Sequence, residues 1–200
     1  MSDRSPPTSR EAWLRENARP GEVVRATLIT DFPVERLAEV EAAWEPWRTR
    51  RPEAEHSHWD WRQKNDPDIL RWLRLFAIER DGVQGLMAVI NQTSPSRLEA
   101  GARLVYVSIL ETAPWNLTQF TETPLYSGCG TQLLASAVGL SREQGCGGRI
   151  GLHALEQAEP FYDRCGLTRI GPDVEYGRLV YYEFTPDQAA RWLTRIGLGS

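Results

Sequence analysis

The chain has 200 residues, 41% of them hydrophobic and 25% charged, which suits one domain with a sizeable core, or one domain with a small appendage, and excludes a disordered chain. Its formal net charge is −4, with arginines and acids mixed throughout, so neither the basic stripe of a nucleic-acid binder nor a polybasic membrane face is expected. No apolar core of a secretory signal follows Met1, no apolar run approaches a bilayer span, and the three cysteines (Cys129, Cys146, Cys165) form no CxxC pair; a cytoplasmic protein with reduced thiols is expected.

Residues 1–21 are polar, Arg-rich and punctuated by proline, and read as an N-terminal arm or a short helix around Glu11–Asn17. Val23 to Thr30 is β-rich and reads as a first strand. Asp31-Phe32-Pro33 opens a helix carrying Leu37, Val40, Glu41 and Trp44 at helical spacing. Arg48 to Asn65 is polar and irregular, and Asp66-Pro67 reads as the start of a short helix through Trp72. Two apolar runs, LRLFAIER and VQGLMAVI, flank Asp81-Gly82, a strong two-residue hairpin signal. Arg103 to Leu110 is a further strand. A loop with Pro114, Trp115 and Pro124 leads to Tyr126-Ser-Gly-Cys-Gly130 and a helix over Thr131–Gln144, closed by Gly145. Arg149 to Ala154 reads as a strand, Gln157 to Cys165 as a helix closed by Gly166, and Leu179 to Phe184 as a late strand. Residues 186–200 hold a C-terminal helix, leaving 22–185 as the main domain. The order predicts an α/β fold with a mixed sheet and a βαβ crossover from Arg103 to Ala154.

The most informative stretch is strand, loop, Gly128-x-Gly130, helix. A helix start presents unpaired backbone N–H groups and a partial positive charge. Glycines just before it allow a phosphate close to the backbone. Gly128, Cys129, Gly130 and Thr131 therefore read as a pyrophosphate cradle or, equally, as a plain tight turn. The third glycine of a dinucleotide fingerprint is lacking, and no GKS or GKT makes a P-loop.

LYSGCG at 125–130 and AEPFYDRCGL at 158–167, with their spacing, resemble two motifs of the GNAT N-acetyltransferase family: a Q/R-x-x-G-x-G/A loop before a long helix, and a later A-x-x-x-Y-x-x-x-G-F-like helix. Leu125 stands where the family has Gln or Arg, Leu155 where many members have Asn, and the linker from Ala113 to Pro124 is longer than usual. The resemblance implies an acyl-CoA acyltransferase fold: a mixed, mostly antiparallel sheet flanked by helices, its parallel fourth and fifth strands splayed. It implies acetyl-CoA as co-substrate, gripped by Tyr126, Ser127 and the Gly128–Thr131 cradle, with Leu110, Glu111 and Thr112 beside the thioester and Tyr162 as general acid.

Glu111 and His153, at the carboxyl ends of the two parallel strands, are the candidate bases for an ammonium acceptor; His titrates near neutrality, whereas Glu111 needs burial to raise its pKa. His58, Trp59, Asp60 and Trp61, with His56, form an unusual cluster. The resemblance implies that this region floors the acceptor pocket, where aromatics and Asp60 suit a cationic amine; a loop anchored by two tryptophans is the equal alternative. Too few ligands are present for zinc, and no metal is expected. The function expected is acetyl transfer from acetyl-CoA to a primary amine by direct attack, in a monomer or homodimer, with no nucleic-acid or membrane partner. Two rivals stay open: a GNAT-fold module that binds acyl-CoA or a partner protein without turnover, and a nucleotide-phosphate enzyme using the same loop.

Overall fold

In the computed structural model, which describes residues 8–53, 60–64 and 71–199, the chain forms two compact units. The first comprises Met1–Ala88 and Ile109–Leu133, and the second Val89–Ser108 and Leu134–Ser200.

The first unit opens with β1 (Thr8–Glu16), antiparallel to β2 (Val23–Thr30) in a register running from Thr8↔Thr30 to Arg15↔Val23. The expected arm or short helix is therefore a strand. Its two-residue period is carried by only two core side chains, Ala12 and Leu14, with Glu11, Trp13 and Arg15 turned outward. A pattern that short is ambiguous until β2 offers a ladder. Helix α1 (Leu37–Arg48) buries Leu37, Val40, Glu41, Trp44 and Arg48 along one face. The Thr49 hydroxyl donates to the carbonyls of Glu45 and Pro46 and closes the helix. The hairpin signal is realised in β3 (Leu73–Glu79) and β4 (Val83–Ile90), joined through Asp81 at φ 50° and Gly82 at φ 108°. Both central residues take the left-handed backbone that a twisted two-residue turn requires. The expected helix start at Asp66-Pro67 lies outside the described residues.

The long strand β6 (Arg103–Thr112) passes from the second unit into the first, and β7 (Tyr126–Ser127) lies against β1 through Arg15↔Ser127 and Glu16↔Tyr126. The first unit thus reads β7-β1-β2-β3-β4-β6 in sheet order.

In the second unit the order is β6-β8-β10-β9, with β8 (Ile150–Ala154), β9 (Thr168–Pro172) and β10 (Val180–Phe184), while the short β5 (Ser94–Pro95) pairs with β6. The β6–β8 pair is parallel and the other registered pairs are antiparallel. Helix α2 (Cys129–Glu143) makes the crossover between β6 and β8, as the sequence order predicts. Helix α3 (Glu159–Cys165) ends on Gly166 at φ 93°, whose N–H reaches back to the Tyr162 carbonyl. Helix α4 (Pro186–Arg195) starts with a reciprocal capping box between Thr185 and Gln188 and buries Ala189, Trp192 and Leu193. No helix among the described residues is long and apolar enough to cross a membrane.

The β6–β8 ladder is short. Its registered pairs are Val105↔Ile150, Tyr106↔Gly151 and Val107↔Leu152. β6 itself extends to Thr112 and β8 to Ala154, past the last registered pair.

Candidate functional site

In the first unit, the glycine loop is pinned from behind. The buried Asn116 accepts the Tyr126 N–H at 2.9 Å and donates to Gln84 Oε1 at 2.9 Å. The Leu125 carbonyl accepts the N–H of Asn17 at 3.0 Å. Gly128 follows at φ 100°, a conformation that a side chain would strain. Helix α2 begins at the next residue, and its first registered bond runs from Gln132 N–H to the Gly128 carbonyl at 3.0 Å. The N–H groups of Cys129, Gly130 and Thr131 therefore have no carbonyl one helical turn behind them. Burial pushes the Cys129 thiol up to about 12, so at neutral pH only the residue's backbone can serve an anion. Positive φ, helix start and dipole together suit a pyrophosphate group.

Glu111, on the same unit's end of β6, is buried among charged partners. Its Oε2 accepts the Trp61 indole N–H at 2.5 Å, and its Oε1 lies 3.4 Å from Arg48 Nη1. Arg48 Nη2 donates to Glu41 Oε2 at 2.5 Å, and the Trp61 backbone N–H reaches the same oxygen at 3.0 Å. Burial pushes the Glu111 carboxyl up to about 7, while Arg48 and the Trp61 N–H act in the opposite direction. Leu110 and Thr112, one residue either side, are half-buried.

In the second unit His153 is boxed in. Its Nε2 lies 3.1 Å from Asp173 Oδ2 and its Nδ1 2.7 Å from the Tyr106 hydroxyl. Its ring stacks on Tyr176 at 3.8 Å and 7°. Burial lowers its pKa, Asp173 opposes that, and Arg97 adds to it. Tyr162 is 5% exposed, packed edge-on to Phe161 and against Tyr182, and its hydroxyl makes no hydrogen bond among the described residues. Burial pushes that hydroxyl's pKa up. The β8–β10 register pairs His153 with Tyr181 and Leu152 with Tyr182. Cross-strand partners share a face, so His153 and the Tyr182 ring against Tyr162 occupy opposite faces of this ladder.

Neither a protein-family model nor a curated protein matches the sequence. Solved structures do resemble it. The PaiA N-acetyltransferase from Thermoplasma acidophilum, in complex with coenzyme A, aligns at TM-score 0.52 and 16% identity over 78% of this chain and 97% of that one. AtaTR bound with AcCoA aligns at TM-score 0.52 and 15% identity over 82% and 95%. A GNAT-family acetyltransferase from Listeria monocytogenes 4b F2365 aligns at TM-score 0.50 and 15% identity over 79% and 94%.

This chain has the GNAT fold.

Within the GNAT fold, the short β6–β8 ladder is the splayed pair of parallel strands, and the Gly128 turn is the loop ahead of the long helix. The departures from the family motif are accommodated locally. Leu125 presents an exposed side chain and binds only through its backbone. Leu155 caps the turn before α3 through its carbonyl. The aromatic cluster divides. Trp61 is 2% exposed and belongs to the Glu111 network through its indole N–H. The Asp60 carboxylate is held by both Nε and Nη2 of Arg62, which keeps its pKa low and spends its charge. His58 and Trp59 lie outside the described residues, as does His56. No three His, Cys, Asp or Glu side chains cluster for a metal among the described residues.

Sequence reasoning missed Arg48 and Glu41, whose signal was a pair of charges seven residues apart on the buried stripe of α1. It also missed Tyr106, Asp173 and Arg97. Tyr106 read as one more strand aromatic, and nothing in sequence links it to residues 47 and 67 positions on.

Proposed function

We propose that the chain is an acetyl-CoA-dependent N-acetyltransferase acting on a primary amine by direct attack. The observation that carries this reading is the left-handed Gly128 directly before α2, next to the end of β6, in a GNAT fold. Acetyl-CoA supplies an acetyl group activated as a thioester. In the first unit, the backbone N–H groups of Cys129, Gly130 and Thr131, with Tyr126 and Ser127, hold its pyrophosphate. The backbone of Leu110, Glu111 and Thr112 borders the acyl group and offers an N–H to the charge that builds on its oxygen. In the second unit, Tyr162 is a buried residue whose hydroxyl makes no hydrogen bond among the described residues, and it is suited to giving a proton to the departing sulfur. Glu111 or His153 accepts the proton that the ammonium must lose. The domain that does this spans 22–185.

The test uses thermal shift and release of free CoA thiol with a panel of amines. Acetyl-CoA raises the melting temperature by mass action, and S-acetylpantetheine, which lacks the pyrophosphate, raises it far less. Gly128→Val removes most of the acetyl-CoA shift. Tyr162→Phe keeps the shift and lowers turnover by roughly 10²-fold. A Gly128→Val protein that binds acetyl-CoA like its parent would mean the cradle is elsewhere. Acetyl-CoA binding without thiol release on any amine would leave a binding module.

A further inference from the structure

A base at His153 needs a ring nitrogen open to the acceptor or to a water, and neither nitrogen is open. Asp173 takes Nε2 and Tyr106 takes Nδ1. The Arg97 guanidinium, 2.5 Å from Asp173 Oδ2, holds that carboxyl below its usual range, so Asp173 is an acceptor only. The proton on His153 must then sit on Nε2. Its Nδ1 carries the lone pair, and the Tyr106 hydroxyl must donate to it. Each partner is fixed in turn. Asp173 Oδ1 accepts the Glu175 N–H and caps the turn Val174–Tyr176, which lays the Tyr176 ring on the imidazole. Arg97 stacks at 4.1 Å over Tyr181, the cross-strand neighbour of His153. Tyr106 faces Gly151 across the parallel ladder, and the absent side chain there leaves room for the Tyr181 hydroxyl. Tyr106 itself is half-buried, and Tyr176 beside it is 46% exposed, so the chain of bonds ends near solvent.

We propose that Tyr106, His153 and Asp173 form a proton relay in which Tyr106 is the catalytic residue that meets the acceptor amine and Asp173 is a positioning residue. This rests on the acyltransferase reading. The ammonium gives its proton to Tyr106 Oη as the Tyr106 O–H proton passes to His153 Nδ1. The amine keeps the electron pair with which it attacks, Tyr106 stays neutral, and the imidazolium is held against the Asp173 carboxylate. The proton then returns to solvent by the reverse path. Tyrosine alone is too weak an acid for this, and burial raises the Tyr106 pKa further; transfer to the imidazole avoids a free phenolate. The charged and titratable groups around His153 are Tyr106 on β6, Asp173 and Tyr176 on the β9–β10 connection, Tyr181 on β10, and Arg97 on the loop after β5. Burial, aided by Arg97, outweighs the Asp173 carboxylate and holds the pKa below its ordinary value, which leaves His153 neutral, and able to accept, at pH 7.

Two measurements on the full chain test the relay. Imidazole ¹⁵N NMR, with the His153 signal assigned by its loss in His153→Gln, is expected to show the Nε2–H tautomer and titration below the ordinary value of about 6.5. Asp173→Asn is expected to disturb that tautomer. For the best amine of the panel, the acid limb of kcat/KM is expected to follow the same His153 titration. Tyr106→Phe is expected to lower kcat by about 10²-fold, the lower range for acid–base catalysis, with KM for acetyl-CoA and the melting temperature near parental. An Nδ1–H tautomer, or Tyr106→Phe with the parental kcat and pH limb, overturns the relay while leaving acetyl transfer intact. A parent that releases no CoA with any amine overturns the acyltransferase reading, and the relay's catalytic role with it, whatever the tautomer.

Discussion

Glu111 shows how much a residue's meaning depends on its surroundings. On a strand end open to water its carboxyl would be ionised at neutral pH; buried, it is pushed up to about 7. The folded chain therefore keeps a proton that the unfolded chain releases between the ordinary value of 4.5 and about 7. A raised carboxyl pKa stabilises the fold fully below the unfolded value, and that contribution is lost as the pH rises through the folded one. Glu111→Gln cannot titrate. The stability of the parent relative to Glu111→Gln is accordingly expected to fall between pH 4.5 and about 7 and to be flat below that window. Urea unfolding of both proteins at several pH values measures it, and parallel curves across the window would refute the burial argument. Arg48 and Trp61 lie in the same network and hold this carboxylate.

At the scale of elements, the ladder of β6, β8 and β10 depends on one missing side chain. A Cβ on Gly151 would stand 2.2 Å from the Tyr181 hydroxyl and 3.2 Å from a Leu104 methyl. Gly151→Ala must displace the Tyr181 ring, and overpacking of this kind costs roughly 1–3 kcal/mol. Tyr181→Phe alone loses the bond to Glu183. In combination the phenyl ring relieves the closest contact, so the double variant is expected to be more stable than the sum of the singles predicts. A thermal or urea double-mutant cycle reads the coupling, and strict additivity would show that the ring adjusts freely. β1 acts in the same cross-element way in the first unit: it pairs with β7, and its Trp13 carbonyl accepts the Gln132 side-chain amide of α2 at 3.2 Å.

Over the whole molecule, each unit carries free thiols that the fold conceals. Cys129 in the first unit and Cys146 and Cys165 in the second are all buried. Burial pushes Cys129 up to about 12 and Cys165 up to about 11, and raises Cys146 as well. Thiolate is the reactive form, so the native protein at pH 8 is expected to react slowly at all three positions with Ellman's reagent, and rapidly at all three in guanidinium chloride. Fast native labelling, located by mass spectrometry, would identify the unit whose core opens.

The sequence by itself determined the periodic elements and the punctuation between them. Val23–Thr30, the Asp81-Gly82 hairpin, the α2 crossover and the Gly166 stop are all written in local pattern, because each depends on neighbours within a few residues. The Gly128 cradle was legible for the same reason: positive φ and a helix start are adjacent in the chain. Strands with little pattern of their own, β1, β5, β7 and β9, became strands only because another edge supplied the missing hydrogen bonds. Glu111 and His153 could be named as candidates from their place at strand ends. Their partners could not, since Arg48, Trp61, Tyr106 and Asp173 come from 20 to 63 residues away. Burial and hydrogen bonding set what a titratable group can do, and both are properties of the packed neighbourhood rather than of the chain.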